Sequence, residues 1–396
     1  MHSGLSYIFE KSIQSVDPSV AMPYWDWTVD VTSNAYLNKS NAELWSWNVW
    51  GSEYFGIANN NAHTVSEGPW AFTRLPTDYW NDTHNPYGYM RAPWNMNSLP
   101  YVTRFNYTGS AAKNFAVTDM GMPTCMDFWN LIEDSDSWFD FGWGLQYDPH
   151  ARVHSVIGGS EAGTSFENNV AKHFDDDVNE IISKIMFVWT KNMWRNYKID
   201  FPTVCSPDTP QHACVGSCSD IGDEIQNRDI ESYINTFGDS TVISSIKSLV
   251  LEDQIEVVTA MCESSLCIGD QMESASPTDI SFWPIHPNLE RVWMIKKLSG
   301  TFTDESWPQN STSKSSDGST CYGHGSEDLL PMEGIVSGTE GVEWNATNLT
   351  NSEWYRLLDP LNGHMPYLYD DFTLKHCNFY NLSFEQWLPT TDDGFI

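Results

Sequence analysis

The stretch Asp148-Pro149-His150-Ala151-Arg152-Val153-His154-Ser155-Val156-Ile157-Gly158-Gly159 constrains this chain more than any other. Two histidines four apart on a helix project from one face, so both imidazoles can reach one metal ion. The glycine pair then stops the helix, because glycine tolerates the left-handed conformation past a C-terminus. Alone, the pattern also suits two histidines satisfied by ordinary hydrogen bonds. Two further stretches, 2–28 and 279–293, decide between the readings.

The composition allows a large folded core. Of 396 residues, 40% are hydrophobic and 14% aromatic, with 19 Trp, 17 Tyr and 19 Phe. Disorder does not fit such a chain. The formal charge of −33 is spread along the sequence. It repels phosphate backbones and anionic lipid, which argues against nucleic acid and membrane surfaces as partners. No apolar run reaches the roughly 18 residues a membrane span needs. The eight cysteines form an even set, and Asn38, Asn81, Asn106, Asn310, Asn345, Asn348 and Asn381 each begin a glycosylation sequon. With the acidity, these features favour a secreted or lumenal, disulfide-bonded glycoprotein.

Residues 2–15 read as an amphipathic helix with His2, Leu5, Phe9 and Ile13 along a buried stripe. A short helix is predicted over 126–134, and helical patterns run over about 168–197 and 240–261. Residues 29–125 are loop-rich, and His63 and His84 in them read as solvent-exposed. Five cysteines, Cys205, Cys214, Cys218, Cys262 and Cys267, lie in 160–274; Cys214/Cys218 with Cys262/Cys267 could hold zinc, but loose spacing in an oxidising compartment favours disulfides. Five is odd, so one must pair elsewhere or stay free, and eight cysteines allow 105 pairings.

Pro23-Tyr24-Trp25-Asp26-Trp27-Thr28, preceded by Asp17-Pro18-Ser19-Val20-Ala21-Met22 and by His2 and Glu10, resembles the tyrosinase family. This type 3 copper group includes catechol oxidases and molluscan hemocyanins. Val65-Ser66-Glu67-Gly68-Pro69-Trp70 is similar to the segment that bridges the family's two copper halves. The His150/His154 stretch resembles the first two ligands of the second copper. Asp279-Ile280-Ser281-Phe282-Trp283-Pro284-Ile285-His286-Pro287-Asn288-Leu289-Glu290-Arg291-Val292-Trp293 is similar, in register, to the segment carrying the third. Tyr367-Leu368-Tyr369 resembles the element that closes the family's core.

The resemblance implies a mainly α fold: a tyrosinase-like four-helix bundle around a dicopper site, with long irregular loops and a helical, Cys-containing insertion. It places the copper domain at 1–376 (core 1–160 and 275–376, insertion 161–274) and a tail at 377–396. Metal ligands would be His2 for the first copper and His150, His154 and His286 for the second, with the Phe282 ring packed on the site. The implied activity is copper-dependent oxidation of o-diphenols to o-quinones with O2, on a small phenolic substrate. Ala151 stands where members that hydroxylate monophenols commonly carry Asn, which favours diphenol oxidation.

Departures are Glu290 in place of Asp, Ile285 in place of a non-ligand histidine, and prolines either side of His286, which predict that His286 sits at a helix start. Two further ligands of the first copper would lie before His2, so the chain reads as N-terminally truncated, with a signal peptide in the missing segment. The competing readings are a copper-poor, non-catalytic scaffold of tyrosinase type and a hemocyanin-like O2 carrier.

Overall fold

The computed structural model describes residues 1–395 apart from 38–40, 60, 78–83, 106–120, 162–163, 219–229, 308–312, 315–319, 322, 339–340, 364–366 and 392–393. The sequons at Asn38, Asn81, Asn106 and Asn310, and His364, lie outside the described residues. The fold is mainly α. The chain divides into two compact units, one of Met1–Asn41, Met122–Val153 and Ser281–Ile396, the other of Ala42–Gly121 and His154–Ile280. The 161–274 segment lies wholly within the second.

In the first unit, helix α1 (His2–Val16) packs on α11 (Phe282–Leu298) and on a hairpin, Leu329–Gly338 paired antiparallel with Gly341–Thr350. Its inward face differs from the predicted stripe: Gly4, Ser6, Ile8 and Glu10 are buried, whereas Leu5, Phe9 and Ile13 are half-buried. The helix is covered on more than one side. Ile8 joins Met332, Trp354 and Leu358 in a small core, while Phe9 stacks on Trp283 at 3.7 Å between ring centres. A Cβ on Gly4 would meet Met332 Cε at 3.3 Å, so a bare backbone lets the hairpin close on this helix.

Helix α3 (Cys125–Asp134) follows prediction and opens with a capping box, Thr124 and Asp127 exchanging hydrogen bonds at its N-terminus. The Cys125–Cys377 disulfide ties its start to the chain's last part, where Phe384 and Trp387 bury against Trp129. Helix α2 (Trp27–Tyr36) is capped by Asp26, whose carboxylate accepts from Thr28 N–H and Oγ1. The same carboxylate pairs with Arg291 of α11, and the Arg291 guanidinium lies 4.5 Å over the Tyr24 ring. Trp25 N–H donates to the Pro284 carbonyl at 2.9 Å, and Trp27, fully buried, packs edge-on against Phe128. The aromatic-aspartate stretch is therefore a clamp on the start of α11.

The second unit holds a hydrophobic core built from α7 (Asp176–Arg195), α8 (Ile230–Ile234), α9 (Ser240–Lys247) and α10 (Leu251–Cys262) with residues such as Phe166, Ile182, Met186, Trp189, Val258 and Met261. The first of the two long helical patterns breaks twice and the second once. The first yields α6 (Thr164–Asn169), a 3-10 turn at Ala171–His173 and then α7, which Asp175 caps. Asp239 caps α9 similarly.

Beyond α2, the loop-rich segment is held by buried polar groups. Arg91 and Asp270, both fully buried, pair at 2.8 Å, and Arg91 also donates to the Asn97, Leu99 and Tyr101 carbonyls. Arg104 grips Asp279 through both carboxylate oxygens and donates to Phe55 and Gly56 carbonyls. Each buried charge meets an opposite charge and each donor an acceptor, the condition under which burial is tolerated.

Cys205–Cys214 and Cys218–Cys262 form disulfides and Cys267 is a buried free thiol, so the odd cysteine of the five stays unpaired, as a disulfide reading requires. His63 departs from its predicted exposure. Its side chain is only 19% exposed, its ring lies 4.6 Å from that of Phe105, and Nε2 stands 3.7 Å from Glu161. His84 is half-buried, while His212 is exposed.

Candidate metal centre

His2, His150 and His286 come together in the first unit, each offering one ring nitrogen within 4.8 Å of the others. His2 is the first residue of α1. His286 is the fifth residue of α11 and 3% exposed, so it lies inside the helix and not at its start as the flanking prolines predict. Pro284 sits in the first turn, where an N–H has no partner to lose. Pro287 is tolerated further in because α11 is buried along most of its length and packing outweighs the local bias.

His150 sits on neither a plain α-helix nor a loop. After α4 (Trp138–Leu145), residues Gln146–Ala151 form a wide π turn, and the α-helix resumes as α5 (Arg152–Gly158). Asp148 leaves helical geometry at φ −147°, ψ 104°, because proline at 149 disfavours it in the residue before. The two histidines of the opening motif thus lie on a kinked element. Gly159 ends it at φ +61°. His154 belongs to the second unit, where it is buried and its Nδ1 lies 2.6 Å from the Gln271 carbonyl.

Backbone carbonyls set the tautomers. Nδ1 of His286 lies 2.7 Å from the Phe282 carbonyl, and Nδ1 of His150 lies 3.2 Å from that of Gln146. A carbonyl only accepts, so Nδ1 carries the proton in both rings and Nε2 its lone pair. The two Nε2 atoms stand 3.1 Å apart, and His2 Nδ1 is 2.6 Å from His286 Nε2. Burial pushes the His2 imidazole down to about 3, helped by the neighbouring His150, and burial also lowers His150 despite its carbonyl partner. These rings are neutral near pH 7, the state in which imidazole binds metal. An N–H to a carbonyl with the other nitrogen turned inward is the usual support of a metal-ligating histidine.

The Phe282 ring, 1% exposed, lies 4.0 Å from the His286 ring and 5.4 Å from that of His2. Ala151 is half-buried on the π turn beside His150. Arg152 next to it pairs with Asp127 of α3 at 2.6 Å and with Asp148 at 3.3 Å. One turn beyond His286, the buried carboxylate of Glu290 accepts from Tyr367 and Tyr369 at 2.9 and 2.5 Å. His376 is only 19% exposed and lies 2.7 Å from Thr28 Oγ1, a packing role.

Comparison with known proteins bears on this site directly. A model of the common central domain of tyrosinase matches residues 2–175. Through this segment the chain is similar to the tyrosinase family. A tyrosinase from Streptomyces lincolnensis is 30% identical over 160 residues, 39% of this chain and 49% of that protein. Tyrosinases from Streptomyces glaucescens and Streptomyces galbus are 38% and 40% identical over 64 residues, 16% of this chain and 19% of each. The chain spans half the length or less of the curated relatives it matches. No solved structure matches it significantly.

The family implies copper, and the donor set fits it: neutral imidazoles with inward Nε2 lone pairs suit copper. At a metal–imidazole distance of about 2.0–2.1 Å, two ligands of one ion stand roughly 3 to 3.4 Å apart. The His150–His286 spacing meets this; the His2–His286 contact is closer, a direct hydrogen bond. His286 and Phe282 lie beyond the matched segment, and it is folding that delivers them to His2 and His150. No sequence signal marks the Gln146, Phe282 and Gln271 carbonyls that orient the rings, since any residue supplies one.

Proposed function

We propose that this chain is a polyphenol oxidase that converts o-diphenols to o-quinones with O2. The observation that carries the reading is the convergence of His2, His150 and His286 with their supporting carbonyls. His150 and His286 would hold the second copper, and His2 would serve the first. When bound, the two copper ions carry electrons from the diphenol to O2. The protein's part is to fix the imidazoles, keep them unprotonated and wall off water with the Phe282 ring. Ala151 has only a methyl group and cannot orient a water molecule as a base toward a phenol, which supports diphenol oxidation over monophenol hydroxylation. The disulfides among the described residues support a secreted or lumenal setting, where such bonds persist.

A second reading, a copper-poor scaffold, draws on the His2–His286 hydrogen bond, which satisfies both rings without an ion. Copper per chain after reconstitution, followed by catechol turnover read as quinone absorbance, separates the readings. Bound copper with turnover, both lost in His286→Ala, supports the oxidase. Absence of copper leaves the scaffold. Reversible O2 uptake without turnover points to a carrier of hemocyanin type.

A further inference from the structure

A second group of metal-ligating side chains lies in the second unit, away from every motif that led to the copper reading. His173 ends the 3-10 turn after α6, and Asp253 and Glu256 stand three apart on α10, which puts both carboxylates on one face. His173 Nε2 is 3.2 Å from Glu256 Oε2, and Nδ1 is 4.0 Å from Asp253 Oδ2. One donor atom from each residue lies within 4.8 Å of the others. The imidazole is held, with its side chain 12% exposed and its ring edge-on to Phe174, whereas the carboxylates are 40% and 38% exposed and can rotate.

We propose that His173, Asp253 and Glu256 form a binding site for a zinc-like divalent cation that joins the turn at 171–173 to α10. An imidazole with two carboxylates and room for water is a common zinc donor set, with ligand distances of about 2.0–2.2 Å. Reaching them takes a swing of the exposed carboxylates onto the anchored ring. The imidazole disfavours calcium and magnesium, which take oxygen ligands. The site already attracts a cation: the Lys172 ammonium pairs with Glu256 Oε1. Lys172 competes with the metal, which gives the proposal a sign that a generic acidic patch lacks.

The test is equilibrium dialysis of the whole chain against Zn2+ at pH 7, comparing the wild type with His173→Ala, Glu256→Gln and Lys172→Met. The histidine trio of the first unit also offers zinc three imidazole nitrogens, so the reading is the difference between variants, all of which keep that trio. His173→Ala and Glu256→Gln should each weaken one zinc equivalent by about tenfold or more, and Lys172→Met should tighten it several-fold. Lys172 is 46% exposed, so its variant should keep the fold and test the site even if His173→Ala does not fold. Zinc binding that is the same in Lys172→Met as in the wild type, or unchanged in both ligand variants, overturns the site. Copper uptake and catechol oxidation are unaffected either way, so failure here is distinct from failure of the oxidase reading.

Discussion

Single side chains in this protein owe their chemistry to what burial forces on them. Desolvation keeps the His2 and His150 imidazoles neutral, and backbone carbonyls aim those of His150 and His286; the same force acts with opposite sign on an acid. Glu290 is 2% exposed, and burial pushes its carboxyl up to about 7, partly offset by the hydrogen bonds from Tyr369 and Tyr367. An unfolded glutamate titrates near about 4.3. Between that value and about 7 the folded state holds a proton the unfolded state has lost, so stability falls as pH rises through this window and levels off above it. Glu290→Gln cannot ionise. Its melting temperature, followed from pH 4 to pH 8, should decline less steeply than that of the wild type, so that the variant gains relative stability above pH 7. Glu273 is also raised to about 7 by burial, but it is present in both proteins and cancels in the difference. Parallel pH profiles would show that Glu290 is already ionised in the folded state.

Elements reach their places through pairings that differ in how plainly the sequence announces them. Asp26 caps α2 and at the same time neutralises Arg291 on α11, 1% exposed, so one carboxylate fixes two helices. Arg291→Ala leaves that carboxylate buried without its partner and should cost about 3–5 kcal/mol in a denaturant melt, with lower copper uptake because α11 carries His286. A loss below about 1 kcal/mol would mean that water replaces the guanidinium at little cost.

Helices α1 and α3 were legible because apolar residues recur at helical spacing, and the family motifs pointed to His2, His150 and His286. The kink beneath His150 was written in Asp148-Pro149, yet the histidine spacing alone suggested an unbroken helix. The 329–350 hairpin was not foreseen, since Pro331 and Gly334 interrupt its alternation. Disulfide partners could not be read either. Cys125 and Cys377 are 252 residues apart in sequence, and only the tertiary fold brings them together.

For the molecule as a whole, charge is the dominant unpatterned feature: 53 acidic against 20 basic residues. No described helix is long and apolar enough to cross a membrane. Several of the few cations are used up inside, Arg91 and Arg104 in the second unit and Arg291 and Lys297 in the first, each on a partner carboxylate. What remains on the surface is mostly negative, and like charges there repel more in the compact state than in the expanded chain. Salt shortens the reach of that repulsion, from about 10 Å at 0.1 M to about 3 Å at 1 M. It weakens exposed pairs such as Lys172–Glu256 too, but leaves the buried pairs nearly untouched. The two effects oppose each other, and the acidic excess makes repulsion the larger. The melting temperature should therefore rise as NaCl increases from 0.1 to 1 M, and sodium chloride is the right salt because sulfate would stabilise by exclusion from any surface. A melting temperature that falls instead would place the stabilising electrostatics in exposed ion pairs and leave surface repulsion a minor force in this fold.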